Sequence, residues 1–190
     1  MPAGPDELLT AIVQSADDAI LAKRFDGTII FWNPAAERLY GYSAAEAIGR
    51  PISMIVPDDR RDELAHIMQS VASGRRVEHL ETVRVTKDGR LVDVSVTVSP
   101  VLDGGVPVAA SAIARDITAV RAEQRRNRRR AIALHDDVLQ SVTAAKFAIE
   151  LGQTAAAFAA LDRALAGARS VIDELLDGGT LDAAELRVPS

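Results

Sequence analysis

Cysteine is missing from the 190 residues of this chain, which excludes disulfides, thiol chemistry and Cys-ligated zinc. The sequence has no run of about 18 apolar residues and no basic-then-apolar start. It therefore offers neither a membrane span nor a secretory signal, and cytoplasm is the default expectation. Positive charge is in the minority: the net charge of −5 argues against bulk binding to nucleic acid or to an acidic membrane. Proline is absent from about residue 119 until Pro189, a stretch rich in Ala, Arg, Leu, Glu and Asp, and every aromatic except Phe147 and Phe158 lies before it. That shift predicts a mixed α and β module followed by helices, and the length suffices for two small modules.

Within the first part, Pro5-Asp6-Glu7 opens a short amphipathic helix that runs to about Gln14. Strands are expected over 19–24 and 28–32, joined at Asp26-Gly27, whose residues suit a tight hairpin turn. Asn33-Pro34 ends the second strand and caps a helix over 35–40. Short helical turns lead to a longer helix over 58–73. A second hairpin is expected from 77–86 and 91–99 around Lys87-Asp88-Gly89-Arg90, with Val92, Val94, Val96 and Val98 alternating against Asp93, Ser95 and Thr97. A strand over 106–115 makes five.

This order of elements, with Phe31 to Tyr42, Ala47-Ile48-Gly49-Arg50, Lys87-Asp88-Gly89 and Asp116-Ile117-Thr118 in sequence, resembles a PAS sensory domain over residues 5–118. The resemblance implies a sensing module, and it narrows the ligand. Sensors of this fold that form a flavin adduct, and the coumarate-bearing type, need a cysteine that this chain lacks. Haem-binding relatives place a His on the long helix, where this sequence has Leu64; His66 lies two residues on, about 160° round the helix. Haem is thus not expected, and His79 reads as structural. A non-covalent flavin or small apolar ligand among Ile48, Met54, Ile55 and Val83 is the alternative to an interior that is simply packed core.

From Ile117 onward, Val120, Gln124, Asn127, Ala131, Leu134, Val138, Ser141, Ala145 and Ala148 follow a 3-4 spacing, the seam of a coiled coil with a polar middle. Residues 119–130 read as a signalling linker whose rotation would carry a change onward. The Arg125-to-Arg130 run is a solvated face suited to an acidic protein partner rather than to DNA, because the basic residues wrap around the helix and no aromatic is interleaved. Gly152-Gln153-Thr154 interrupts the helix, with Thr154 as a cap, and allows a hairpin. The returning helix carries Phe158, Leu161, Leu165, Ala168, Val171, Ile172 and Leu175 until Gly178-Gly179 stops it.

Inside the first of these helices stands His135-Asp136-Asp137-Val138-Leu139-Gln140. Asp136 and Gln140 are four apart and so share a face, while His135 lies about 100° round from Leu134, at the edge of the apolar seam. A lone His-Asp pair on a helix is ordinarily just solvated. An imidazole becomes a nucleophile towards a phosphoryl group when a carboxylate takes or orients its proton, and an amide can position a water for the reverse hydrolysis. Ala133 to Val142 resembles the phosphoacceptor box of the dimerisation and histidine-phosphotransfer region of sensor histidine kinases, in the subfamily with the H-D-x-x-x-Q pattern. The resemblance implies His135 as phosphoacceptor, Asp136 as general base and Gln140, with Asp136, as the phosphatase residue acting on a response-regulator phosphoaspartate. Asp137 has no assigned role.

The expected architecture is α+β: a PAS domain over 5–118, a linker over 119–130, a helical hairpin over 131–178 that pairs as a dimeric four-helix bundle, and a tail or truncated linker over 179–190. A histidine kinase also needs an ATP-binding domain, for which the eleven residues after Gly179 leave no room. ATP is expected to act only through a separate domain, in trans or in a missing region. The expected partners are a second copy of the chain, a response-regulator receiver domain and that ATP-binding domain, with no metal. The expected role is two-component signal transduction; the alternatives are a non-catalytic dimerisation scaffold and a DNA-binding regulator.

Overall fold

The computed structural model describes residues 4–177, with side chains described through Arg169. The chain divides into two compact units, Met1–Arg121 and Ala122–Ser190.

The first unit is built on five strands, β1 (Ala19–Lys23), β2 (Ile29–Trp32), β3 (Val77–Val85), β4 (Leu91–Asp103) and β5 (Val106–Asp116). All pair antiparallel in the order β2-β1-β5-β4-β3, so the two hairpins read from the sequence are bridged by the last strand in the middle. Alternation buries Val92, Val94, Val96 and Val98 of β4 and Ala110, Ala112 and Ala114 of β5 on one face. Onto it pack α2 (Pro34–Tyr40), α3 (Ala44–Ala47), α4 (Arg61–Ala72) and 3-10 turns at Ile52–Ile55 and Asp58–Arg60, contributing Ala36, Tyr40, Ile52, Ile55, Ile67 and Val71 to the core. The helix expected over 58–73 thus begins with a 3-10 turn.

Asn33 shows how one residue organises a corner. Its side-chain oxygen accepts the N–H groups of Ala36 and Ile20, each at 2.9 Å, and its amide donates to the carbonyls of Val13 and Asp18, each at 3.1 Å. It caps α2, as the Asn-Pro pair implied, and it also ties β1 and the end of α1 (Pro5–Ser15) to that cap. Each of its bonds is made, so full burial costs little.

Strand β4 continues past the expected end at Ser99 to Asp103, and its partner turns back at Gly104-Gly105. Pro100 sits inside this strand opposite Ala110, where it gives up a ladder donor without ending the pairing. His79 lies in β3 but at a register shift between Val77 and Leu80, with a positive φ of 49°. It is exposed there.

The second unit is a helical hairpin of α5 (Thr118–Glu150), whose first turn belongs to the first unit, and α6 (Thr154–Asp177). The turn closes as a Schellman motif: Gly152, at φ 70°, donates to the carbonyl of Ile149 at 3.0 Å, and Gln153 donates to that of Ala148 at 2.7 Å. Gln153, not Thr154, occupies the cap position, since its carbonyl accepts Ala157 N–H. Buried Ala148, Ala145 and Ser141 on α5 stand at the same distances from the turn as buried Ala157, Ala160 and Ala164 on α6. Small residues facing one another let the two backbones approach closely, so the hairpin seam is alanine-rich. Side chains of Val171, Ile172 and Leu175, and the stop expected at Gly178-Gly179, lie outside the described residues.

Candidate functional site

His135, Asp136 and Gln140 lie on one uninterrupted helix, α5, and all three are exposed. Leu134 and Val138, on the neighbouring face, are half-buried and continue the row of Ser141, Ala145 and Ala148. The seam expected to face a second chain thus has its C-terminal part turned towards α6 of the same chain. The reason is side-chain size: a row of Ser and Ala scores low as an apolar face, yet it is what an antiparallel partner at close range requires.

The large apolar side chains are left outside. Ile132, Leu139, Val142 and Ile149 on α5 and Phe158, Leu161 and Leu165 on α6 are exposed. On each helix they lie about 100° from the buried row in the same rotational sense, which on an antiparallel hairpin puts both stripes on one side; Phe147, also exposed, lies on the opposite flank of α5. His135 falls within the α5 stripe, three residues after Ile132 and four before Leu139. Among the described residues the stripe is two helices wide over Leu139 to Ile149, and His135 lies one turn before Leu139.

Asp137 turns the other way. Its carboxylate is the nearest group to Gly167, 3.0 Å from where a Cβ would stand. Gly167 interrupts an otherwise strong helix-forming run, and a Cβ there would meet only the end of the exposed Asp137 side chain, which can move aside.

The helix carrying His135 begins at a hydrogen-bonded junction in the first unit. Asp116 accepts Thr118 N–H at 2.8 Å, Asp93 donates its N–H to the Thr118 hydroxyl at 3.1 Å, and Ile117 donates to the Asp93 carbonyl at 2.9 Å. Arg121, one turn on, pairs with Glu81 of β3 and lies 3.5 Å from the Asp93 carboxylate.

Within the PAS core is a cavity of about 20 Å3 lined by Leu21, Tyr40, Ile55, Leu64, Lys23 and Arg84 among others. Of the residues expected to hold an apolar ligand, only Ile55 lines it; Ile48 is exposed and Met54 packs at the core's edge. Ile48 and Met54 instead line a separate surface pocket with Tyr42, Glu46, Arg50 and Lys87. Leu64 faces this cavity while His66 of the same helix is exposed. Arg84 donates to Glu63 at 3.0 Å, to the Thr82 hydroxyl at 3.1 Å and to the Val83 carbonyl at 2.8 Å. Burial, and then the positive charge of Arg84, bring the Lys23 ammonium down to about 8. Burial pushes the Tyr40 phenol up, so it stays a donor. Among the described residues no group of three His, Asp or Glu is arranged to hold a metal ion, and no helix is long and apolar enough to cross a membrane.

Known proteins resemble part of this chain. The chain is 31% identical over 116 residues to the signal transduction histidine-protein kinase AtoS of Escherichia coli K12, covering 60% of this chain and 19% of that protein. It is 32% identical over 128 residues to the oxygen sensor protein DosP of the same organism, covering 65% of this chain and 16% of that one. The chain thus spans less than a fifth of either relative. Among solved structures, a PAS domain of a protein from Colwellia psychrerythraea superimposes with a TM-score of 0.56 at 30% identity, covering 61% of this chain and 99% of that domain. The PAS fold family matches residues 7–117. With five antiparallel strands, the helices packed on one face and that match, the chain belongs to the PAS fold family.

Proposed function

We propose that this chain is a sensory protein of a two-component pathway, in which the PAS domain governs phosphoryl exchange at His135. Its likeness to a histidine-protein kinase and to an oxygen sensor supports a sensory role in signal transduction. One observation carries the phosphotransfer reading: His135, Asp136 and Gln140 are all exposed on a helix that starts at the terminal Asp116-Ile117-Thr118 of the PAS domain.

On this reading an imidazole nitrogen of His135 attacks the γ-phosphorus of an ATP held by a separate ATP-binding domain. The bond to the leaving ADP oxygen breaks, and the ring proton passes to Asp136. The phosphoryl group then moves to an aspartate carboxylate of a response-regulator receiver domain, freeing the imidazole. In the reverse sense, the Gln140 amide, with Asp136, positions a water that attacks the phosphoaspartate and releases inorganic phosphate. The arginines of residues 125–130 supply positive charge one to three turns before His135, suited to an acidic receiver. A second copy of the chain covers the stripe of Leu139, Val142, Phe158, Leu161 and Leu165, completing a four-helix bundle with His135 at its margin. Residues 119–130 act as the signalling linker.

A specific observation also favours a second reading, a non-catalytic dimerisation scaffold: His135 lies in the same angular stripe as Ile132 and Leu139, and a dimer extending that far would cover it. Mixing the chain with an ATP-binding domain, labelled ATP and a receiver domain separates the two. Label reaching the receiver only when His135 is present supports exchange; dimerisation without any label on chain or receiver supports the scaffold.

A further inference from the structure

On the surface of the PAS domain, Tyr42, Glu46, Ile48, Arg50, Met54 and Lys87 line a recess of about 450 Å3. Its walls are held from behind. Gly49 donates to the Ile29 carbonyl at 2.8 Å, and Ile29 donates to that of Arg50 at 2.9 Å, so this segment is pinned to β2. Opposite it, the backbone N–H of Lys87 donates to the Tyr40 carbonyl at 2.9 Å, and the Trp32 indole N–H donates to that of Tyr42 at 3.0 Å. Ile48 is 48% exposed, and Met54 and Tyr42 are half-buried, which makes part of the lining apolar. The Lys87 ammonium is already engaged, for it pairs with Glu46 and stands 5.7 Å from the centre of the Tyr42 ring. Arg50 is not. Its side chain is exposed, and among the described residues the guanidinium makes no hydrogen bond or ion pair. Arg50 and Lys87 against Glu46 leave one excess positive charge at the recess.

We propose that this recess binds a free organic monocarboxylate with an apolar body, the carboxylate on the Arg50 guanidinium and the body against Ile48, Met54 and Tyr42. A guanidinium fork matches a carboxylate with two parallel bonds, which a lysine ammonium does not. Charge sets the valence, since a second negative charge on the ligand would have only Lys87 to meet, and Glu46 already holds it. The recess is separate from the cavity in the core, with which it shares no lining residue. An ion pair at the surface contributes little by itself, so binding is expected in the millimolar range and to depend on the apolar contact as well. Arg50 is tied to β2 and Lys87 follows β3, the two edge strands of the sheet, so a ligand here touches both sides of the domain. The inference deepens the sensory reading of residues 7–117 and rests on it for its consequence in signalling, while binding itself is independent of His135.

The test is a titration of the full chain with sodium phenylacetate at neutral pH and constant ionic strength, followed through backbone amide signals in heteronuclear NMR spectra. The expected result is a saturable displacement of the signals of Gly49, Arg50 and Lys87, with those of Val98 and Ala112 in the core unmoved. Phenylacetamide, which lacks the charge, and acetate, which lacks the apolar body, should each bind at least about tenfold more weakly. A peptide ending in phenylalanine carries the same two groups on a chain and should bind no more tightly than phenylacetate. Arg50→Gln, at an exposed position and so expected to fold, should weaken phenylacetate by the same factor; His135→Gln should leave it unchanged. Unmoved signals at Gly49 and Arg50, a displacement centred on Val98 and Ala112, an unchanged affinity in Arg50→Gln or tighter binding of the peptide would overturn the proposal. None of these results bears on phosphoryl exchange at His135, since that reading is tested by label transfer alone.

Discussion

The hydroxyl of Thr118 accepts the backbone N–H of Asp93 at 3.1 Å, joining the first residue of α5 to the strand beside β5. Asp93 answers with its carbonyl, which takes the N–H of Ile117 at 2.9 Å. The helix that carries His135 is therefore fastened at its root to β4, whose inward side chains fill the PAS core.

Replacing Thr118 by Val keeps the shape and removes the acceptor, leaving a half-buried N–H without its partner. The expected cost is about 1 kcal/mol. Urea unfolding followed by the fluorescence of Trp32, the sole tryptophan, should show a lower midpoint with an unchanged slope. An unchanged midpoint would mean that the junction is not a structural tie.

Lys23 gives the PAS domain an unusual dependence on pH. Its ammonium is lowered from 10.5 to about 8 in the fold, by burial first and by Arg84 second. Between pH 8 and 10.5 the unfolded chain holds a proton that the folded one has released, so this group makes stability rise with pH. Below pH 8 both states are protonated and the buried charge is a constant penalty. Lys23→Met should stabilise the protein at pH 7, by about 3 kcal/mol at most, and flatten the rise between pH 8 and 10. Urea midpoints at pH 7 and pH 10 check both signs.

The two apolar surfaces of the hairpin should respond differently to substitution. Ala145, 2% exposed, sits where α5 meets α6, and Ala145→Leu should cost about 1–3 kcal/mol through overpacking, seen as lost helical signal on heating. Leu139 is exposed on the outer stripe, so Leu139→Glu should leave the hairpin folded and shift sedimentation from dimer to monomer. If Leu139→Glu remained fully dimeric, the outer stripe would not be the interface.

Gln140 should separate the two directions of phosphoryl flow. Gln140→Ala, at an exposed helix position, is expected to leave folding and acceptance of phosphate by His135 intact. It should slow dephosphorylation of a phosphorylated receiver domain by at least about tenfold, the scale of one positioned catalytic group. Equal dephosphorylation rates for the two proteins would remove the role proposed for the amide.

Much of the PAS fold was legible because its signals are local. Asp26-Gly27 and Asp88-Gly89 mark turns, Asn33-Pro34 marks a cap, and alternation of Val92 to Val98 marks a half-buried strand. Pro100 misled in the opposite direction: it reads as a strand end, but the pairing of β4 with β5 outlasts it. The strand order, which sets Lys23 and Arg84 on one cavity, depends on contacts far apart in sequence, and neither charged residue announces burial. In the hairpin the seam read along α5 is the face that is buried, at Ser141, Ala145 and Ala148, whereas the face read along α6 leaves Phe158, Leu161 and Leu165 exposed; the buried row there is Ala157, Ala160 and Ala164, because small residues let the two helices approach closely. His135, Asp136 and Gln140 are legible as a spacing, and all three are exposed on α5.

The central claim is that His135 accepts and passes on a phosphoryl group. Incubating the full chain with an ATP-binding domain and γ-labelled ATP, then treating it with acid and with alkali, tests it most directly. The account predicts a label that is stable to alkali, lost in acid and absent from His135→Gln. Label on the wild-type chain that survives in His135→Gln, or no label on either, would contradict it.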